Sequence, residues 1–208
     1  MNPLDACRPF IESLKSSDPT PGGGAVAGLA GALAGALAHM VGSLTVGKKK
    51  FAAVEDAMQQ AMAKLDGLID GFFALADDDA RAFDAYMEAW RLPKATDAEK
   101  AARKEALKGA ALTACDPPLR TIQLTHELIP LIDFVAEKGN RHAVSDAGAA
   151  AILSAAAART AALNVRINLP SVAHADRPPL EDALTHLLPD VLARAEALAS
   201  SVERRLEA

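Results

Sequence analysis

The chain has 208 residues, long enough for one domain with a sizeable core, and half of them are hydrophobic while only 4% are aromatic. Lys and Arg total 22 against 27 Asp and Glu, a formal charge of −5. No basic stripe interleaved with aromatics is present, which excludes a general nucleic-acid binder.

In chain order, the N-terminal MNPLDACRPFIESL carries Asp5 and Arg8 and lacks the basic start and apolar run of a secretory signal. A helix is predicted over 3–16. PTPGGG at 19–24 then opens an Ala- and Gly-rich helix over 24–46. Gly24, Gly28, Ala32, Ala36 and Met40 recur there at four-residue spacing, beside a second row of Ala27, Gly31, Gly35 and His39. Such rows let neighbouring backbones approach closely. Residues 25–46 carry no formal charge and have the length of a membrane span. Their main strong hydrophobes are only Leu29, Leu33, Leu37 and Leu44, and no second span is expected, so a buried central helix and no membrane partner are predicted. Further helices are predicted over 52–90, 97–114, 118–138, 144–168 and 180–206, divided by the Pro and Gly clusters at 92–93, 117–118, 139–140 and 170–179. Asp97 is placed to cap one of them, and Ser145 or Asp146 another. With no sustained alternating pattern, the chain reads as all-α, a long-helix bundle forming a single domain over 1–208.

Ala dominates the apolar set. Each small side chain buries little area, at roughly 25 cal/mol per Å², so the core must gain from close helix approach, long helices or association between subunits. The two cysteines, Cys7 and Cys115, show no CxxC or zinc spacing, which fits a reduced, cytoplasmic setting. The five histidines show no metal-binding spacing; no metal site is expected.

Four stretches can carry chemistry. Gly22, Gly23 and Gly24 open a helix, where free N–H groups favour an anion or admit a ligand; a tight turn into a crowded helix explains them equally well. Lys48, Lys49 and Lys50 follow the same helix and serve either as a solvated end or as a cationic binder. Asp77, Asp78 and Asp79 fan out by about 100° each around a helix, so at least one is expected to point inward, where burial tunes a carboxylate for proton transfer. Finally, Asn140, Ser145, Asp146, Asn164 and Asn168 punctuate the last third of the chain. Asp146 and Asn164 lie eighteen residues apart, five full turns, and share a face.

Taken together, PTPGGGAVAGLAGALAGALAHMVGSLTVGKKKF, the DxxAFDAYMEAWRLPK stretch from Asp79 and EKGNRHAVSDAGAA…AALNVRINL resemble the cyclodeaminase/cyclohydrolase family, in the family's order and over nearly the whole chain. The resemblance implies an all-α homodimer with folate sites near the subunit interface, acting on the one-carbon unit of a tetrahydrofolate substrate with no tightly bound cofactor. It places Asp79 at the family's acid/base position and puts Gly22–Gly24, Lys48–Lys50, Asn140, Ser145, Asp146 and Asn164 at the substrate; one lysine, taken as Lys48, has a catalytic role beside Asp79, and the other two, Lys49 and Lys50, are open to the substrate's glutamate tail. His142 stands where a second Asn is expected. Stand-alone size, LTVGKKKF and the AFDAYM…LPK stretch favour methenyltetrahydrofolate cyclohydrolase activity. Formimidoyltetrahydrofolate cyclodeaminase activity and a non-catalytic folate-binding module are the alternatives.

Overall fold

Small side chains decide how the helices meet. The computed structural model describes residues 2–207, and among them there is no strand. A 3₁₀ turn and the short helix α1 (Arg8–Leu14) precede α2 (Gly23–Ser43), followed by α3 (Glu55–Arg91), α4 (Asp97–Lys138) and α5 (Val144–Asn168). The chain ends with α6 (Pro178–Asp182), a π-helical turn over Ala183–Leu187 and α7 (Leu188–Glu207). Helix α2 packs between α3 and α5, with α4 also against it, and α7 closes over α5. Every buried residue of α2 except Val41 is Gly or Ala.

Those small residues bring backbones close. A methyl at Gly28 would lie 2.8 Å from the Phe72 carbonyl oxygen, and one at Gly31 would overlap the Phe72 ring. Larger residues supply the remaining apolar area from the partner helices. Met58, Leu65 and Phe72 of α3 meet Leu128, Ile132 and Val135 of α4 in one cluster. A second cluster joins Ile122 and Ile129 to Val165, Leu180 and Val191.

Four boundaries or caps differ from expectation. The predicted break at Pro117–Pro118 is absent, and α4 runs unbroken through Pro117, Pro118 and Pro130. Proline removes an N–H and frees the carbonyl four residues earlier; the Ala114 carbonyl opposite Pro118 accepts from Asn168 Nδ2 at 3.5 Å. Pro117 and Pro118 are themselves buried, so tertiary packing holds the helix through them. Secondly, Thr96 rather than Asp97 caps α4. Its Oγ1 accepts from Glu99 N at 3.2 Å while the Glu99 carboxylate accepts from Thr96 N at 2.8 Å, a reciprocal capping box. Thirdly, neither Ser145 nor Asp146 caps α5. Asn140 caps the 3₁₀ turn Arg141–Ala143 that leads into it. The expected final helix is likewise split by the π turn, just ahead of Pro189, whose missing N–H disrupts the regular ladder.

Helices Gly23–Ser43 and Arg141–Ser171 are both long and apolar enough to cross a membrane by length and composition, one more than expected. About half of each apolar window is buried within the bundle. The outer side of α2 stays open, with Leu33, Met40 and Leu44 exposed, and α5 beside it exposes Ile152, Leu163 and Ile167.

Close approach at Gly31 carries a measurable expectation. Gly31→Val should cost about 2–3 kcal/mol through overpacking against Phe72. Gly67→Ala and Gly109→Ala sit in α3 and α4 with nothing within 4 Å, and each should add about 0.5–1 kcal/mol by restricting the unfolded chain. Urea denaturation separates the two classes; equal effects would contradict the packing described.

Candidate active site

At the N-terminal end of α2, a cavity of about 370 Å³ opens between four segments. The loop Pro19–Gly23 forms one side, Asp79, Phe83 and Tyr86 of α3 another, and Asn164, Ile167 and Asn168 of α5 a third, with Ala114 and Ser171 completing it. Phe83 and Tyr86 follow Asp79 by four and seven residues, so all three share one helix face. That spacing is legible in the sequence; nothing local marks Ala114 or Ser171.

Asp79 is the carboxylate that turns inward. Asp77 is exposed, and Asp78 pairs with Arg81 on the same helix. The Asp79 carboxylate packs against Gly24 so closely that any Cβ there would overlap it. Burial pushes its pKa above the ordinary 3.8, while a hydrogen bond from the Ala25 backbone N–H pulls it down; burial is the larger effect. The result is a half-desolvated carboxylate that resists ionisation yet sits where the helix dipole favours negative charge. A cationic ligand placed against it would tip it back towards the ionised form.

The asparagines frame the opposite wall. Asn164 Nδ2 donates to the Thr160 carbonyl at 3.0 Å, and Asn168 Nδ2 donates to the Asn164 carbonyl at 3.0 Å. These bonds hold both amides in place and leave Asn164 Oδ1 as an acceptor. A methyl added at Gly23 would touch the Asn164 amide at 3.4 Å, so loop and wall are in near contact. Cys115, next to Ala114, is buried, and burial pushes its thiol up to about 11. It is a packing residue.

The remaining expected residues lie elsewhere. Lys48, Lys49 and Lys50 occupy the opposite end of α2, roughly 30 Å away along a helix of this length. There the Lys48 ammonium and the Asn140 side chain both donate to the Leu44 carbonyl, finishing the C-terminus of α2. Asn140 N also donates to Thr45 Oγ1 at 2.9 Å in a buried link. Ser145 is exposed and Asp146 half-buried at the start of α5. Asp146 shares a stripe with Asn164 but stands about 27 Å from it along the helix. One chain therefore gathers Gly22, Gly23, Gly24, Asp79 and Asn164 at one end, and Lys48–Lys50, Asn140, Ser145 and Asp146 at the other.

A larger cavity of about 620 Å³ lies between α3 and α4, lined by Arg81 with Asp78, Asp116 and Asp176. Among the described residues no group of three His, Cys, Asp or Glu is placed to hold a metal ion.

The sequence model of the formiminotransferase-cyclodeaminase family matches residues 6–178. The chain belongs to this family. It is 45% identical over 189 residues to a methenyltetrahydrofolate cyclohydrolase of Methylorubrum extorquens, covering 91% of this chain and 89% of that protein. It is 34% identical over 163 residues to the formimidoyltransferase-cyclodeaminase of Gallus gallus, covering 78% of this chain but 30% of that longer protein. Among solved structures it is similar to a formiminotetrahydrofolate cyclodeaminase from Thermotoga maritima, with a TM-score of 0.80 at 29% identity over 96% of this chain and 94% of that one. The all-α fold and the cyclodeaminase/cyclohydrolase resemblance are thereby borne out.

The raised Asp79 pKa has a stability consequence. A carboxyl with a folded pKa above its unfolded value favours the fold at low pH, and that contribution is lost as pH rises through the folded pKa. Asp79→Asn should therefore melt no lower than the parent at neutral pH. A melting temperature several degrees lower would show instead that the charged carboxylate is a net structural asset.

Proposed function

We propose that this chain hydrolyses 5,10-methenyltetrahydrofolate to 10-formyltetrahydrofolate, as a single cytoplasmic domain acting in a homodimer. The observation that carries the reading is the half-buried Asp79 at the α2 N-terminus, in a chain 45% identical over nearly its whole length to a protein named for that reaction. Both cysteines are free thiols, which supports the cytoplasmic setting. The reading calls for no resident cofactor, since the substrate itself carries the electrophilic carbon.

The methenyl bridge is a cationic amidinium joining N5 and N10. Ionised Asp79 stabilises that cation, then takes a proton as water adds to the bridging carbon. Cleavage of the carbon–N5 bond follows, with the proton returned to N5 and the formyl group left on N10. Substrate plus water gives product plus one proton. Asn164 and the Gly22–Gly23 turn line the same cavity and position the pterin, while Gly24, expected at the substrate, is buried behind the Asp79 carboxylate. Cyclodeamination of a formimidoyl group is the second reading, favoured by the likeness to the Thermotoga maritima structure.

The homodimer reading rests on the open apolar face of α2 and α5. A two-fold pairing of this face covers the same residues on both copies. Antiparallel crossing of the two α2 helices would set one chain's Lys48–Lys50 beside its partner's Gly22–Asp79 cavity, so that Lys48 orients the attacking water while Lys49 and Lys50 flank the substrate. Asn140, Ser145 and Asp146 would approach the same composite site.

Loss of the methenyl absorbance band on adding the protein is the expected result; gain of that band from 5-formimidoyltetrahydrofolate, with ammonia released, would replace hydrolysis by cyclodeamination. Asp79→Asn should lower kcat by at least about 100-fold and remove an acidic limb from the pH–rate profile. Unaltered turnover in folded Asp79→Asn would take Asp79 out of the mechanism. Co-expressed Asp79→Asn and Lys48→Ala chains should recover about a quarter of parental activity, because heterodimers keep one intact site. No recovery above the separate variants would show that Lys48 does not act across the interface. Leu33→Asp with Met40→Asp should yield a monomer by light scattering.

A further inference from the structure

We infer that the glutamate end of the folate substrate docks in a cationic basin formed by Lys104, Lys108 and Arg177, at the far side of Ser171 from Asp79. The inference rests on the folate reading above. A second cavity of about 400 Å³ adjoins the Asp79 cavity, and Ser171 lines both. Its wall carries Lys104 and Lys108 on α4 and His174 and Arg177 from the segment after α5. In a chain with a formal charge of −5, this gathers three permanent cations around one hollow.

The spacing suits the ligand. Ala114 lines the Asp79 cavity; Lys108 and Lys104 precede it on the same helix by six and ten residues, so they stand ~9 and ~15 Å along the axis. In a folate, one aromatic ring and one amide separate N10 from the glutamate carboxylates, a rigid reach of roughly 10 Å. That reach matches the step along α4 from Ala114, in the wall of the Asp79 cavity, to Lys108 in the basin.

Arg177 is already positioned. Its Nε donates to the Val172 carbonyl and an Nη to the Pro170 carbonyl, each at 3.0 Å. These bonds tie the guanidinium to the turn that separates the cavities, so little ordering is required when a carboxylate arrives. Lys108 is paired with Glu105 on its own helix at 3.0 Å. That is an exposed pair, and a substrate carboxylate competes with it readily. Asp176 lines the larger cavity instead.

The test compares 5,10-methenyltetrahydrofolate with 5,10-methenyltetrahydropteroate, which lacks the glutamate, on the parent and on the Lys104→Ala/Lys108→Ala double variant. The parent should show a KM about tenfold lower for the folate. The double variant should lose that preference, so that removing the lysines and removing the tail are not additive. Lys64→Ala, an exposed lysine on α3, serves as the control and should keep the preference. A double variant that retains the tenfold preference, or a parent with none, overturns the basin. If neither compound is turned over, the hydrolase reading fails separately. Calorimetric affinities for tetrahydrofolate and tetrahydropteroate then decide the basin by the same comparison.

Discussion

Contact between the Asp79 carboxylate and the backbone at Gly24 is the constraint on which the site depends. A carboxylate can enter the first turn of α2 only where no Cβ intervenes, and once there it exchanges water for one backbone N–H. The two consequences oppose each other. Desolvation raises its pKa and the Ala25 N–H lowers it, with desolvation prevailing. A carboxylate in that balance is poorly solvated and poorly compensated when the cavity is empty. On the proposed reading, an amidinium cation bound there would supply the missing compensation and favour positive charge at the reacting end.

The same demand for closeness shapes the rest of the bundle. Helix α2 contributes almost no bulk, so its neighbours supply it, with Phe72 laid across Gly31 and Ile69 against Gly35. Long helices replace large side chains as the source of buried area. Helix α4 keeps its length through three prolines because packing fixes the backbone, and the Ala114 carbonyl opposite Pro118 is met by Asn168. That last bond joins fold to function: it holds α5 against α4 where the cavity is built.

Much was legible in the residues. The punctuating Pro and Gly clusters, the four-residue rows of small side chains and the triplet of aspartates led to an all-α bundle with a buried α2 and one inward carboxylate. Asp79 was distinguished from its neighbours by resemblance; the structure supplies the physical reason, since Asp77 faces water and Asp78 faces Arg81. The helix break at Pro117 and the cap at Asp97 failed for one reason. Local propensity was followed where a buried contact, or a threonine one residue earlier, offered the backbone a better partner.

What the sequence determined alone was periodic or local: helix class, the small-residue stripe of α2, and the shared face of Asp79, Phe83 and Tyr86. What only the tertiary structure decided was which distant residues meet. Lys48 and Gly22 belong to the two ends of one helix, and a rigid rod of that length keeps them apart within a chain. Asn164 and Asp146 share a stripe yet occupy opposite ends of α5 for the same reason. Conversely, Ser171, Ala114 and Asp79 are separated along the chain and brought to one cavity by helices that pack at backbone distance. Periodicity specifies direction around a helix axis; position along the axis, and the neighbour found there, come from packing.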